Sequence, residues 1–177
     1  MNLVLIGYRG SGKSAVAAIL SRKLGMEVVS LDQEIVREAG MTIPEIVEKH
    51  GWPWFRDLES QVVERVALRD QLILDAGGGV VLRARNTESL RRNGALFWLE
   101  ASVEVIVERI RESAERPALT EGGSFLEEVG QVLAERLPLY RAAADREVDT
   151  DRMTAEGVAE EIAREFRSLA AARELRG

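Results

Sequence analysis

Near the start of the chain, Gly7-Tyr8-Arg9-Gly10-Ser11-Gly12-Lys13-Ser14 has the residue types and spacing of a phosphate-binding loop, G-x-x-x-x-G-K-[ST]. Successive backbone N–H groups have to turn inward around a phosphate, and a Cβ at the glycines would obstruct that approach or forbid the dihedrals. Lys13 is expected to reach the β- and γ-phosphates of a nucleoside triphosphate, and Ser14 to offer its hydroxyl to Mg²⁺. A helix beginning there would aim its positive dipole end at the same anion. The nucleotide-binding stretch is therefore read as Gly10, Ser11, Gly12, Lys13, Ser14 and Ala15.

Other residues along the chain carry chemistry that the loop does not explain. Asp32 follows Val28-Val29-Ser30, which puts it near the carboxyl edge of a strand and beside the loop. Gly77-Gly78-Gly79 follows the apolar run Leu72-Ile73-Leu74 and Asp75; three consecutive glycines suit close approach of a small ligand to the backbone. Trp54-Phe55-Arg56-Asp57-Leu58-Glu59, Arg116-Pro117 and Arg136-Leu137-Pro138-Leu139-Tyr140-Arg141 supply further cations and aromatics. Residues 112–124, polar and containing Gly122-Gly123, suit a mobile lid over a nucleotide, with a plain surface loop as the alternative.

These residues need elements to position them. Leu3 to Ile6, Glu27 to Ser30, Leu72 to Leu74 and Ala95 to Leu99 read as short buried strands, with Glu147 to Thr150 as a weaker fifth. Helical stretches separate them, so the fold class is α/β, a five-stranded parallel sheet with right-handed crossovers, helices on both faces and ligands at the carboxyl ends of the strands. Val16, Ile19, Leu20 and Leu24 recur at helical spacing directly after the loop. Ser102 can cap a helix built on Val103, Ile106, Val107 and Ile110; Thr154 can cap another built on Val158, Ile162 and Phe166. Residues 169–177 read as the fraying end of the last helix.

The 177 residues fit one domain. No apolar run approaches the ~20 residues needed to span a bilayer, so no membrane is expected. With no cysteine, disulfides and thiolate chemistry are excluded. The net charge of −6 disfavours nucleic acid as a partner. Because the chain enters a strand at once without a signal-like segment, a cytoplasmic location is expected. No heptad or extended apolar stripe argues for self-association, and a monomer is the default.

In their order and spacing, the loop, Asp32, the F-R-x-x-E element at Phe55 to Glu59, the G-G-G turn, Arg116-Pro117 and the R-x-P-L-Y element at Arg136 to Tyr140 resemble the shikimate kinases, a family of P-loop small-molecule kinases, from the first strand to about residue 150. The resemblance implies ATP-dependent phosphorylation of the 3-hydroxyl of shikimate, a step of aromatic amino acid biosynthesis, with ATP and Mg²⁺, in a single kinase domain over 1–177 whose acceptor-binding segment spans about 32–60. It implies that Asp32 is the base toward the acceptor hydroxyl. It makes Arg56 and Arg136 the grip on the substrate carboxylate, with Gly77, Gly78 and Gly79 at the acceptor. Arg116 would close over the triphosphate, and Arg109 and Arg152 would lie at the adenine. Phe55 and Trp52 are candidates for an apolar wall, although Trp52 reads equally as core. Asp32 could instead cap the helix containing Ile35, and Arg109 could pair with Glu108 or Glu112 on a helix surface. Arg56 or Arg136 alone would read as a solvated charge.

One departure from the family pattern concerns the metal. The family usually carries an Asp-x-Asp pair where this chain has Ser30-Leu31-Asp32, and a small residue where it has Asp75. We therefore expect Asp75 to supply, through water, the carboxylate missing at position 30; its alternative role is to cap the glycine turn. Two other functional classes remain open on sequence: another small-molecule or nucleotide kinase, such as one acting on gluconate, and a nucleotide-binding regulator that lost turnover.

Overall fold

The computed structural model describes residues 1–112 and 125–175. β1 (Asn2–Ile6) leads through the phosphate loop into α1 (Lys13–Leu24), then β2 (Glu27–Ser30), α2 (Leu31–Ala39), α3 (Ile43–Ala67) and β3 (Leu72–Asp75). A 3₁₀ turn (Val80–Leu82) precedes α4 (Ala84–Arg92), β4 (Gly94–Glu100), α5 (Val103–Glu112), α6 (Phe125–Ala143), β5 (Arg146–Asp149) and α7 (Ala155–Glu174). The sheet has the order β2-β3-β1-β4-β5 and every pairing is parallel, which bears out the expected α/β architecture.

β1 lies at the centre because all five of its residues are buried, which only an interior strand covered on both faces allows. Its side chains alternate between two cores. Leu3 and Leu5 pack with Val16, Leu20, Val158 and Ile162 beneath α1 and α7. Val4 and Ile6 pack with Phe55, Val62, Leu90 and Tyr140 on the opposite face. The expected fifth strand forms at the edge, where only Val148 of its four residues is buried; that is why its apolar signal is weak.

The caps behave as local chemistry requires. Thr154 accepts from Gly157 N at 3.1 Å, and Ser102 from Val105 N at 3.4 Å. At α2 the cap is Ser30, whose hydroxyl accepts from Gln33 N at 3.3 Å. Asp32 is thus not the cap; it sits inside the first turn, because β2 ends one residue before the helix begins. α3 breaks at Gly51 (φ 82°, ψ 167°), so a new helical run starts at Trp52-Pro53. α7 continues through the expected fraying segment to Glu174. Of the expected lid, Glu112 ends α5 and the remainder, with Arg116, lies outside the described residues.

Candidate active site

The carboxyl ends of β1, β2 and β3 gather most of the candidate residues. Gly12, in the left-handed region at φ 93°, turns the loop into α1, whose first residue is Lys13. Lys13 is only 9% exposed, and its Nζ donates to Gly7 O at 2.9 Å and Tyr8 O at 3.0 Å. Burial lowers its pKa, while the negative charges of Asp75 and then Asp32 pull it back up. The ammonium is therefore held by two loop carbonyls within the field of two carboxylates. Ser14 and Ala15 follow, both exposed at the start of α1.

Asp75 ends β3 as the parallel-register partner of Leu5 in β1 and of Ser30 in β2. It accepts a 2.6 Å hydrogen bond from Ser14 Oγ. The loop hydroxyl and this carboxylate consequently form one unit, and the carboxylate stands one strand across from the position that lacks an acid. The alternative of a turn cap gains no support from a bond to the glycine turn among the described residues.

Each glycine of 77–79 meets a different functional side chain. A Cβ on Gly77 would lie 2.6 Å from Asp32 Oδ1. The carbonyl of Gly78 accepts from Tyr140 OH at 2.5 Å and from Arg136 NH1 at 3.1 Å. A Cβ on Gly79 would run into the Arg56 guanidinium, 2.6 Å from its central carbon. Positions 77 and 79 need glycine because Asp32 from α2 and Arg56 from α3 fill the space a Cβ would take, while at Gly78 Arg136 and Tyr140 from α6 meet the carbonyl.

Arg56 NH1 donates to both Glu59 oxygens, at 2.9 and 2.8 Å. Desolvation raises the Glu59 pKa against the opposing pull of Arg56. Arg136 also lies over the Tyr8 ring, 5.7 Å from its centroid. Neither arginine is a solvated surface charge. Phe55 is buried, whereas Trp52 is 55% exposed, so its reading as core is corrected: the break at Gly51 lifts it onto the surface.

Arg109 also departs from its surface alternative. Among the described residues its bonds go to Thr150 O (2.9 Å) and Oγ1 (3.0 Å) and, longer, to the carbonyls of Ser11 and Gly10 (3.4 and 3.5 Å), not to Glu108 or Glu112. It ties the phosphate loop to the end of β5. Arg152 is exposed in the turn beyond β5. Residue-level reading left Glu59, Tyr140 and Thr150 without roles. The first two stand inside the motifs quoted above, so their presence was visible and only their partners were not.

Among the described residues, no group of three or more His, Asp or Glu is arranged to hold a metal ion. One hydroxyl and one carboxylate beside a phosphate loop nevertheless fit magnesium, which takes few protein ligands and keeps substrate phosphates and water.

A family model described as shikimate kinase matches residues 9–167. The chain is 39% identical to a shikimate kinase of Caldicellulosiruptor bescii over 91% of its own length and 92% of that protein. A shikimate kinase from Acinetobacter baumannii in complex with shikimate superposes with a TM-score of 0.86 at 34% identity, covering 94% of this chain and 93% of that one. A gluconokinase from Sinorhizobium meliloti 1021 shares the fold at a TM-score of 0.61 and 19% identity over 99% and 97% of the two chains.

Proposed function

The chain belongs to the shikimate kinase family, and on that premise we propose how its own residues carry ATP-dependent phosphorylation of shikimate. The observation that carries the reading is the glycine turn: one carboxylate and two guanidinium-bearing side chains abut three consecutive backbone units. Arg56 and Arg136 grip the substrate carboxylate, for which forked, planar donors are better suited than an ammonium. Asp32 accepts the proton of the 3-hydroxyl as that oxygen attacks the γ-phosphorus and the bond to the ADP oxygen breaks. Lys13 and the amides of the loop hold the β- and γ-phosphates, and Arg116 neutralises charge on the transferring group. Arg109 and Arg152 flank the adenine. The protein's share of catalysis is alignment, exclusion of water and fixed charge.

Ser14 and, through water, Asp75 would hold magnesium, which would supply charge neutralisation on the phosphates. The Ser14–Asp75 hydrogen bond supports this assignment. Asp75→Ala should raise the magnesium concentration needed for nucleotide binding several-fold, read by calorimetric titration of ATP at stepped Mg²⁺, and leave shikimate binding alone. An unchanged magnesium dependence sinks the role of Asp75.

No described helix is long and apolar enough to cross a membrane, and the reading is of a cytoplasmic monomer, checked by equilibrium sedimentation. ADP release coupled to a reporter, with shikimate, gluconate and nucleoside monophosphates offered in turn, tests the activity. Release with shikimate alone is expected; release with another acceptor, or tight ATP binding without release, overturns it. Asp32→Asn should lower kcat by about 10²–10⁴-fold, and retained turnover would exclude it as the base.

A further inference from the structure

Arg56 is fixed by more than its ion pair. Glu59 engages only one of its nitrogens, NH1, and Gly79 lies against the guanidinium. Two rings complete the enclosure, with the central carbon of Arg56 4.9 Å from the centroid of Phe55 and 5.3 Å from that of Trp52. Phe55 belongs to the core in any case. Trp52 does not: it is 55% exposed and stands edge-on to Phe55 at 5.6 Å and 89°. The break at Gly51 starts a new helical run at Trp52, and residues four apart on a helix share a face, so the indole is brought onto Arg56. The negative face of an indole attracts a guanidinium and favours a fixed plane for it. A flexible arginine bound by one nitrogen to a buried carboxylate would otherwise be free to turn its remaining N–H groups toward Glu59.

We propose that Trp52 is a positioning residue of the acceptor site, its ring fixing the plane of Arg56 so that the other N–H groups of the fork face the acceptor carboxylate. This rests on the reading that Arg56 binds that carboxylate. Trp52 acts through Arg56 and leaves the reacting atoms alone.

The test is a double-mutant cycle in the full-length chain, reading the shikimate dissociation constant by calorimetry beside kcat and KM. Because Trp52 is half exposed, Trp52→Leu should fold and keep apolar bulk while removing the π-face. It should weaken shikimate binding and raise its KM about three- to tenfold, with kcat and the KM for ATP within about twofold, and Trp52→Phe should recover most of the loss. In an Arg56→Ala background, Trp52→Leu should change nothing further. Additive losses would mean that Trp52 meets the substrate itself and would overturn the proposal, as would normal binding in Trp52→Leu. If Arg56→Ala alone leaves shikimate affinity intact, the assignment of Arg56 fails and this inference with it.

Discussion

Gly77 and Gly79 are two residues apart, yet a methyl group at each would strike a different part of the reaction. At Gly77 it would lie 2.6 Å from the Asp32 carboxylate, and at Gly79 inside the Arg56 guanidinium. Gly77→Ala is therefore expected to lower kcat by displacing Asp32, the proposed base. Gly79→Ala should raise the KM for shikimate, by roughly tenfold or more, with a smaller effect on kcat. Steady-state kinetics on the two variants checks this, and equal effects on both constants in both variants would show that the turn acts as one structural unit. The triplet was legible in the sequence as a site of close approach. Which side chain approaches which glycine was not, because α2, α3 and α6 bring those groups from 45 residues upstream of Gly77 to 58 downstream of Gly78, differences read from the positions of Asp32 and Arg136.

At the level of elements, α2 shows how a strand end decides a side chain's role. Ser30 and Asp32 are both good cap residues, and their sequence alone does not choose between them. The register of β2 on β3 pairs Ser30 with Asp75 and ends the strand there. Ser30 then caps, and Asp32 is delivered within the first turn of a helix whose dipole favours negative charge at that end. Ser30→Ala should cost about 1 kcal/mol of stability and reduce kcat, since the first turn that carries Asp32 loses its anchor. Ser30→Asn should preserve both. Chemical denaturation together with turnover measurements tests this; an alanine variant of full stability would show that tertiary packing holds α2 without its cap.

Across the whole molecule, β4 and α6 join the site to the core through Tyr140, which stacks on Trp98 at 5.9 Å and donates to Gly78 O. Burial first of all raises its pKa from 10.0 to about 12, with Arg136 pulling the other way. Between those values the unfolded chain has released the phenolic proton that the folded chain retains. Stability contributed by Tyr140 is thus complete below pH 10 and is lost as pH rises toward 12. Thermal melts from pH 8 to 11 should fall more steeply for the natural chain than for Tyr140→Phe, and parallel slopes would exclude Tyr140 as the source. The sequence by itself determined the parallel α/β architecture, because strands buried on both faces are continuous apolar runs such as Leu3 to Ile6. It determined the donor loop too, since phosphate binding needs particular residues at a local spacing. Only the tertiary structure decided the strand order, the roles of Glu59 and Tyr140, and the pairing of Ser14 with Asp75. Those depend on contacts between segments far apart in the chain, such as Ser14 and Asp75 across 61 residues, and no local spacing encodes them.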